Sequence, residues 1–280
     1  MATPPFAAPD SAATWFAAYG SGEAVVALHP GGIDARSLDA TVLPLAEQLR
    51  VYTLERRGHG RTPDVAGPIS YELMAQDMIA FIESQVGEPV HLLGCSDGSV
   101  VALTLALLRP DLVRRLVLVA GVFHREGWTR NPEVSDDGGG TDDGPATDSG
   151  AATDDPLPEF FREAYAELSP DGGDHFDVVM AKLDQMHATE PQFTTADLAG
   201  IKARTLVMIG DDDEVSLEHA IAMYRGLPTA ELAVVPGTSH GLLVEKPDLC
   251  NRLILAFLTQ DAPPTFAPIR RARAAAGGKP

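Results

Sequence analysis

The sequence predicts an α/β protein with a mostly parallel central sheet, helices on both faces and a helical insertion late in the chain. Three observations lead there. Apolar runs of strand length, rich in leucine and β-branched residues, recur between turn residues, as strands buried on both faces do. Amphipathic stretches of helix length separate them, which is the pattern of a parallel sheet with helical crossovers. One such junction, Gly94-Cys95-Ser96-Asp97-Gly98, places a serine between two glycines where an apolar strand run gives way to an apolar helix run.

In chain order, residues 1–12 are rich in proline and alanine, and residues 14–19 read as an edge strand. Strands are expected over 25–28, 51–54, 90–93, 116–119, 205–209 and 232–235, and helices over 38–49, 71–85, 99–108, 216–225 and 247–258. The alternation fails once, between Ala120 and Ala203. Residues 13–122 and 203–260 are therefore assigned to the core, and 123–202 to a lid-like insertion with helical pieces over 160–168 and 175–187. Within it, 131–158 is dominated by Asp, Gly, Thr and Pro and is expected to be mobile, because it holds too little apolar surface to offset the entropy of ordering. Residues 261–280 read as a disordered basic tail.

The 280 residues, 45% of them hydrophobic, suffice for one large core. The net charge of -19 disfavours nucleic acid and anionic membrane as partners. Residues 131–155 hold eight of the 40 acids and no base. The amino terminus lacks the charged flank and apolar run of a signal peptide, and no stretch has the roughly 18–20 apolar residues of a membrane helix. A cytoplasmic protein with a small-molecule partner is expected; the sequence sets no oligomeric state. Two cysteines, Cys95 and Cys250, make no disulfide framework.

Glycines at 94 and 98 let a strand and a helix approach closely while Ser96 is held on a strained turn, and the helix behind it directs free amides toward charge forming beside the serine. Cys95, preceding the serine, is expected to point inward. A serine hydroxyl needs a base. Of eight histidines, His240 alone sits on a loop just past the last expected strand, whereas His91, His219 and His59 read as structural. The base needs an orienting acid, and Asp211, Asp212 and Asp213 all end a buried strand at the same edge; spacing does not choose among them. The acidic run lacks the alternate spacing of a calcium loop, so no metal is expected. Oxyanion donors are expected from the Asp97 amide and from Leu28-His-Pro-Gly-Gly32, where Pro30 has no N–H and Gly31 or Gly32 remains.

Taken together these residues resemble the α/β-hydrolase superfamily over about 13–260. Leu28-His-Pro-Gly-Gly32 resembles its oxyanion loop, Arg57-Gly-His-Gly-Arg61 its next glycine-rich loop, and Gly94 to Gly98 its nucleophile elbow. The departures are Pro30 in the oxyanion loop and a shortened amino-terminal hairpin. The resemblance implies the α/β-hydrolase fold, the order Ser96, acid, His240, and Asp213 as the acid. It implies a serine hydrolase that cleaves a carboxylic ester or lactone of a small apolar substrate through an acyl-enzyme and needs no cofactor. Gly31 and Asp97 would form the oxyanion hole, and Phe123, Trp128, Phe160 and Phe161 are candidates to line the pocket. The competing readings are carbon–carbon bond hydrolysis or perhydrolysis with the same residues, a ligand sensor, and a binding protein with a dead site. Serine at the elbow disfavours the haloalkane dehalogenase and epoxide hydrolase branches.

Overall fold

The computed structural model describes residues 6–7, 13–129, 157–262 and 265–267. Residues 131–156 of the expected acidic segment and most of the expected tail lie outside the described residues; 157 and 158 open a helix.

The strands are β1 (Phe6–Ala7), β2 (Ala13–Thr14), β3 (Phe16–Tyr19), β4 (Ala24–Leu28), β5 (Arg50–Leu54), β6 (Val90–Cys95), β7 (Val113–Val119), β8 (Arg204–Gly210) and β9 (Ala230–Val235). β1 and β2 form a short antiparallel pair. The other seven make one sheet in the order β3-β5-β4-β6-β7-β8-β9, antiparallel only where β3 meets β5. The expected edge strand over 14–19 is thus divided, with Thr14 pairing to Phe6 and Phe16–Tyr19 to β5.

Alternate residues of the central strands feed two separate cores, which is why these runs are apolar throughout. Val26, Leu118 and Val207 face one side; Val25, Val117 and Leu206 face the other. The first side is covered by α2 (Tyr71–Phe81), α3 (Asp97–Leu108) and α7 (Leu217–Gly226), the second by α1 (Asp39–Leu45), α8 (Leu242–Glu245) and α9 (Pro247–Thr259). Ser70 caps α2 by accepting the Leu73 amide, and Ser216 caps α7 by accepting that of His219. α1 stops at Leu45, short of the expected Leu49. α2 loosens into a π turn over Ile82–Val86 that ends at Gly87, whose φ of 74° a glycine adopts freely. α3 begins at Asp97, two residues before the expected start.

Between β7 and β8 the chain leaves the sheet and forms α4 (Leu157–Leu168), α5 (Phe176–Thr189) and α6 (Thr195–Leu198). α6, unforeseen in the sequence, starts in a capping box between Thr194 and Asp197. α5 buries Val179, Leu183 and Met186 against the first core.

The strand order reverses between β4 and β6, since β5 lies to one side of β4 and β6 to the other. In open α/β sheets the crevice beyond the carboxyl ends of such strands is where ligands bind. Both glycine-rich turns leave the sheet there, from Leu28 and from Cys95. They touch because Gly98 has no side chain; a Cβ there would collide with the carbonyl oxygens of Leu28 and His29. Gly98→Ala is therefore expected to destabilise the protein by about 1–3 kcal/mol, as overpacking does, while a Gly87→Ala variant, with open space around it, loses only about 1 kcal/mol. Urea denaturation of the two variants tests the contrast.

Candidate functional site

Ser96 sits where β6 turns into α3, with φ 53° and ψ -121°. Such a backbone is strained for any residue with a Cβ, by about 1–3 kcal/mol. Its neighbours hold it there: the Ser96 amide donates to Val119 O at 2.9 Å, and Ser99 N donates to Ser96 O at 2.8 Å. Ser96 makes no side-chain capping bond to its own helix, so its hydroxyl is available elsewhere. It donates to His240 Nε2 at 2.9 Å. On the other side of the ring, His240 Nδ1 donates to Asp213 Oδ1 at 2.8 Å.

The structure thus brings together three residues from three strand ends. Of the three candidate acids, only Asp213 reaches the histidine. Its carboxylate is fully buried and also accepts amides of Val215 at 3.1 Å and Gly210 at 3.3 Å. Asp211 points back and accepts the Thr238 amide at 3.0 Å, while Asp212 is exposed. Burial of His240 works against its charged form, but the hydrogen bond and charge of Asp213 outweigh it, and the imidazole is held above its ordinary range.

The turn after β4 lies against the same point. His59, expected to be structural, has a defined task there: it accepts the Gly32 amide on Nε2 at 3.1 Å and donates from Nδ1 to Arg57 O at 3.0 Å. That pairing fixes its tautomer. Burial, then the nearby Arg56 charge, pushes His59 down to about 4, so it stays a neutral acceptor. The Gly32 amide is occupied and Pro30 has none, while Gly31 lines the cleft beside Ser96 and Asp97. A Cβ at Gly31 would collide with Asp97 Oδ2, so this position requires glycine.

The cleft has a volume of about 540 Å³. Trp128, Met180 and Leu183 give it apolar wall, while Asp184, His187 and Glu214 add charge at its margin. Among the four aromatic candidates for the pocket, only Trp128 lines it, edge-on to His240 at 5.8 Å. Phe123 is buried behind, stacked on His219 at 4.1 Å; Phe160 is exposed and Phe161 packs on the core. Core packing, the alternative reading for these candidates, holds for Phe123 and Phe161, and α4, which carries Phe160 and Phe161, lies off the cleft. His187 was passed over in the sequence; the signal that could have found it is its position on the cleft-facing side of α5, one turn beyond Leu183. Among the described residues there is no cluster of potential metal ligands, and no helix is long and apolar enough to cross a membrane.

With that geometry in place, the family model described as "Alpha/beta hydrolase family" matches residues 25–253. The chain belongs to the alpha/beta hydrolase family. Among proteins of this family it is similar to the putative carbamate hydrolase RutD of Azorhizobium caulinodans, at 25% identity over 90% of this chain and 97% of that protein. It is also similar to the 2-hydroxy-6-oxononadienedioate/2-hydroxy-6-oxononatrienedioate hydrolase 1 of Dechloromonas aromatica, at 28% identity over 86% and 88% of the two chains. Among solved alpha/beta hydrolase structures, a marine microorganism esterase superposes with a TM-score of 0.70 at 23% identity, over 89% of this chain and 100% of the other. That likeness shows the shared fold.

Cys95 distinguishes the two sulfur or oxygen nucleophiles of the elbow. Burial pushes its thiol up to about 12. At pH 8 native protein is expected to resist iodoacetamide at Cys95 over hours, and urea-unfolded protein to react within minutes; mass spectrometry of the peptide reads the difference.

Proposed function

We propose that the protein is a serine hydrolase that cleaves a carboxylic ester or lactone of a small substrate through an acyl-enzyme. The observation that carries this reading is the unbroken row of hydrogen bonds from Ser96 through His240 to Asp213 at the floor of an open cleft. In this reading Ser96 Oγ attacks the carbonyl carbon while its proton passes to His240 Nε2. Asp213 keeps the imidazole oriented and stabilises the imidazolium that forms. The carbonyl oxygen becomes an oxyanion facing the amides of Gly31 and Asp97. His240 then gives its proton to the departing alkoxide, and water repeats the sequence to release the acid and restore Ser96.

α4 and α5 act as the lid in this reading. The mixed wall, apolar at Trp128 and Met180 with Asp184, His187 and Glu214 at the margin, suits an apolar acyl or alcohol group that also carries a polar end. A second reading, hydrolysis of a carbamate by the same attack, is favoured by the similarity to carbamate hydrolases along nearly their full length. A p-nitrophenyl ester series, a set of lactones, aryl carbamates and a vinylogous diketone separate ester, carbamate and carbon–carbon cleavage.

Ser96→Ala is expected to abolish fluorophosphonate labelling and lower kcat by at least about 10⁴-fold, with melting temperature nearly unchanged. Labelling of the variant at the wild-type rate would remove Ser96 from the mechanism. The base must be neutral to act, so kcat/KM should fall as pH drops through the His240 pKa. Because Asp213 holds that pKa above the ordinary histidine value, Asp213→Asn should move this limb to lower pH while lowering the plateau. A pH profile of both proteins on one activated ester decides it.

A further inference from the structure

Asp97 carries two opposed properties. Its amide is one of the two donors assigned to the oxyanion, yet its side chain is a carboxylate buried beside the same point, 1% exposed. One oxygen, Oδ1, accepts the Tyr71 hydroxyl at 2.6 Å and His187 Nε2 at 2.9 Å. The other, Oδ2, has no hydrogen-bond partner among the described residues and packs against Gly31, the second assigned donor. A negative charge is thus lodged between the two amides that would stabilise a new negative charge.

Like charges this close oppose each other strongly where water is excluded. Of the groups around the carboxylate, Tyr71 from α2 is neutral, its phenol held well above the ordinary range by burial and by Asp97. Arg56, from the loop after β5, is buried and its charge also favours the carboxylate, but it makes no hydrogen bond to Asp97: its Nη2 is spent on Pro30 O at 2.8 Å and on His29, and its Nε and Nη1 have no partner among the described residues. Asp184 on α5 and Glu214 across the cleft add negative charge, and His240 with Asp213 is engaged with Ser96. His187 is the one cationic group in hydrogen-bond contact with Asp97 among the described residues.

We propose that His187, carried on the lid helix α5, is a positioning residue for the reaction: it fixes and neutralises the elbow carboxylate of Asp97, so that the oxyanion can form between Gly31 and the Asp97 amide. This rests on the hydrolase reading of Ser96. Both partners fit it. Burial alone would raise Asp97, but the charge and hydrogen bond of His187, and then Arg56, hold it below the ordinary carboxylate range. Burial alone would lower His187, but Asp97 holds it above the ordinary histidine range. The contact therefore favours the ionised form of both partners. It also joins lid to core, so the site becomes electrostatically complete only with α5 in place.

The pair is tested with full-length His187→Ala, His187→Gln, Asp97→Asn and the double variant His187→Ala/Asp97→Asn, each checked by circular dichroism. Fluorophosphonate labelling and turnover of an activated ester are then measured. His187→Ala is expected to lower kcat roughly ten- to a hundredfold with KM changed less than about threefold. His187→Gln keeps a donor but no charge and should lose nearly as much, which also serves if the alanine variant does not fold. Adding Asp97→Asn should restore about tenfold or more, since no carboxylate is left to neutralise. In the wild type, kcat should fall as pH rises through the His187 pKa, and this limb should vanish in Asp97→Asn. A rise in KM with kcat intact, or a double variant no faster than His187→Ala, would overturn the proposal and leave the contact as a simple tether for α5. Wild-type protein that neither labels nor turns over would instead remove the hydrolase reading, and this proposal with it.

Discussion

Everything at the carboxyl edge of the sheet depends on one strained backbone position. Ser96 adopts φ 53° only because the chain around it leaves no alternative: its amide is bound to β7, and the first turn of α3 closes on its carbonyl. The next strand repeats the device. Ala120, also at positive φ (49°), donates its amide to Met208 O of β8 at 2.8 Å. Strain of this kind persists where the surroundings over-determine it, and here the ends of β6, β7 and β8 are linked by these bonds. Glycines supply the space. Gly94 admits the backbone of Gly98 and Ser99, Gly121 admits the Ser99 side chain, and Gly210 admits the carbonyls of Thr238 and Ser239. The last contact matters most for geometry, because it presses the loop of His240 against the strand that delivers Asp213.

Behind this edge lies a second layer that is unusually polar for a protein interior. His29, Arg56 and His59 are all within 1% of complete burial, and Arg57 and Asp77 form a buried pair at 2.8 Å. Buried polar groups persist when hydrogen-bonded, and Arg56, His59 and Arg57 each serve a loop. Arg56 holds the carbonyl of Pro30, His59 holds the amide of Gly32, and Arg57 ties the loop after β5 to α2 through Asp77. The turn after β4 has no regular secondary structure of its own, so its shape is set by these side chains.

The strands and the elbow were legible in the sequence because each follows from a local rule: apolar runs for strands buried on both faces, and paired glycines where strand and helix meet. His240 was legible from its place after the last strand. The choice among Asp211, Asp212 and Asp213 did not follow from spacing, because it turns on the direction of successive side chains in one tight turn; only the family resemblance singled out Asp213. The insertion was least legible. Its apolar content correctly marked helices, but which face of α4 and α5 meets the cleft depends on how they dock, and the docking is set by long-range contacts, apolar and polar together. Phe160 and Phe161 were therefore misplaced, and His187 and His59 looked ordinary until their partners, 90 and 27 residues away, were in view.

How firmly the two insertion helices are held differs, and the difference bears on the cleft. α4 meets the core through the exposed pair Arg36–Glu167 and α5 through the exposed pair Arg162–Asp177, but it also buries Tyr165 edge-on to Phe176 at 5.6 Å and packs Phe161 on the first core. Exposed pairs of this kind contribute about 0–1 kcal/mol each. α5 is fixed differently. Lys182 bonds Asp64 at 2.6 Å with both side chains mostly buried, His175 reaches the same carboxylate at 2.9 Å, and His187 reaches Asp97 near the far end. Between these anchors it buries Val179, Leu183 and Met186, each side chain worth about 1.5–3 kcal/mol. The wall formed by α5 is consequently part of the core in energetic terms, and α4 adds Tyr165 to the same core.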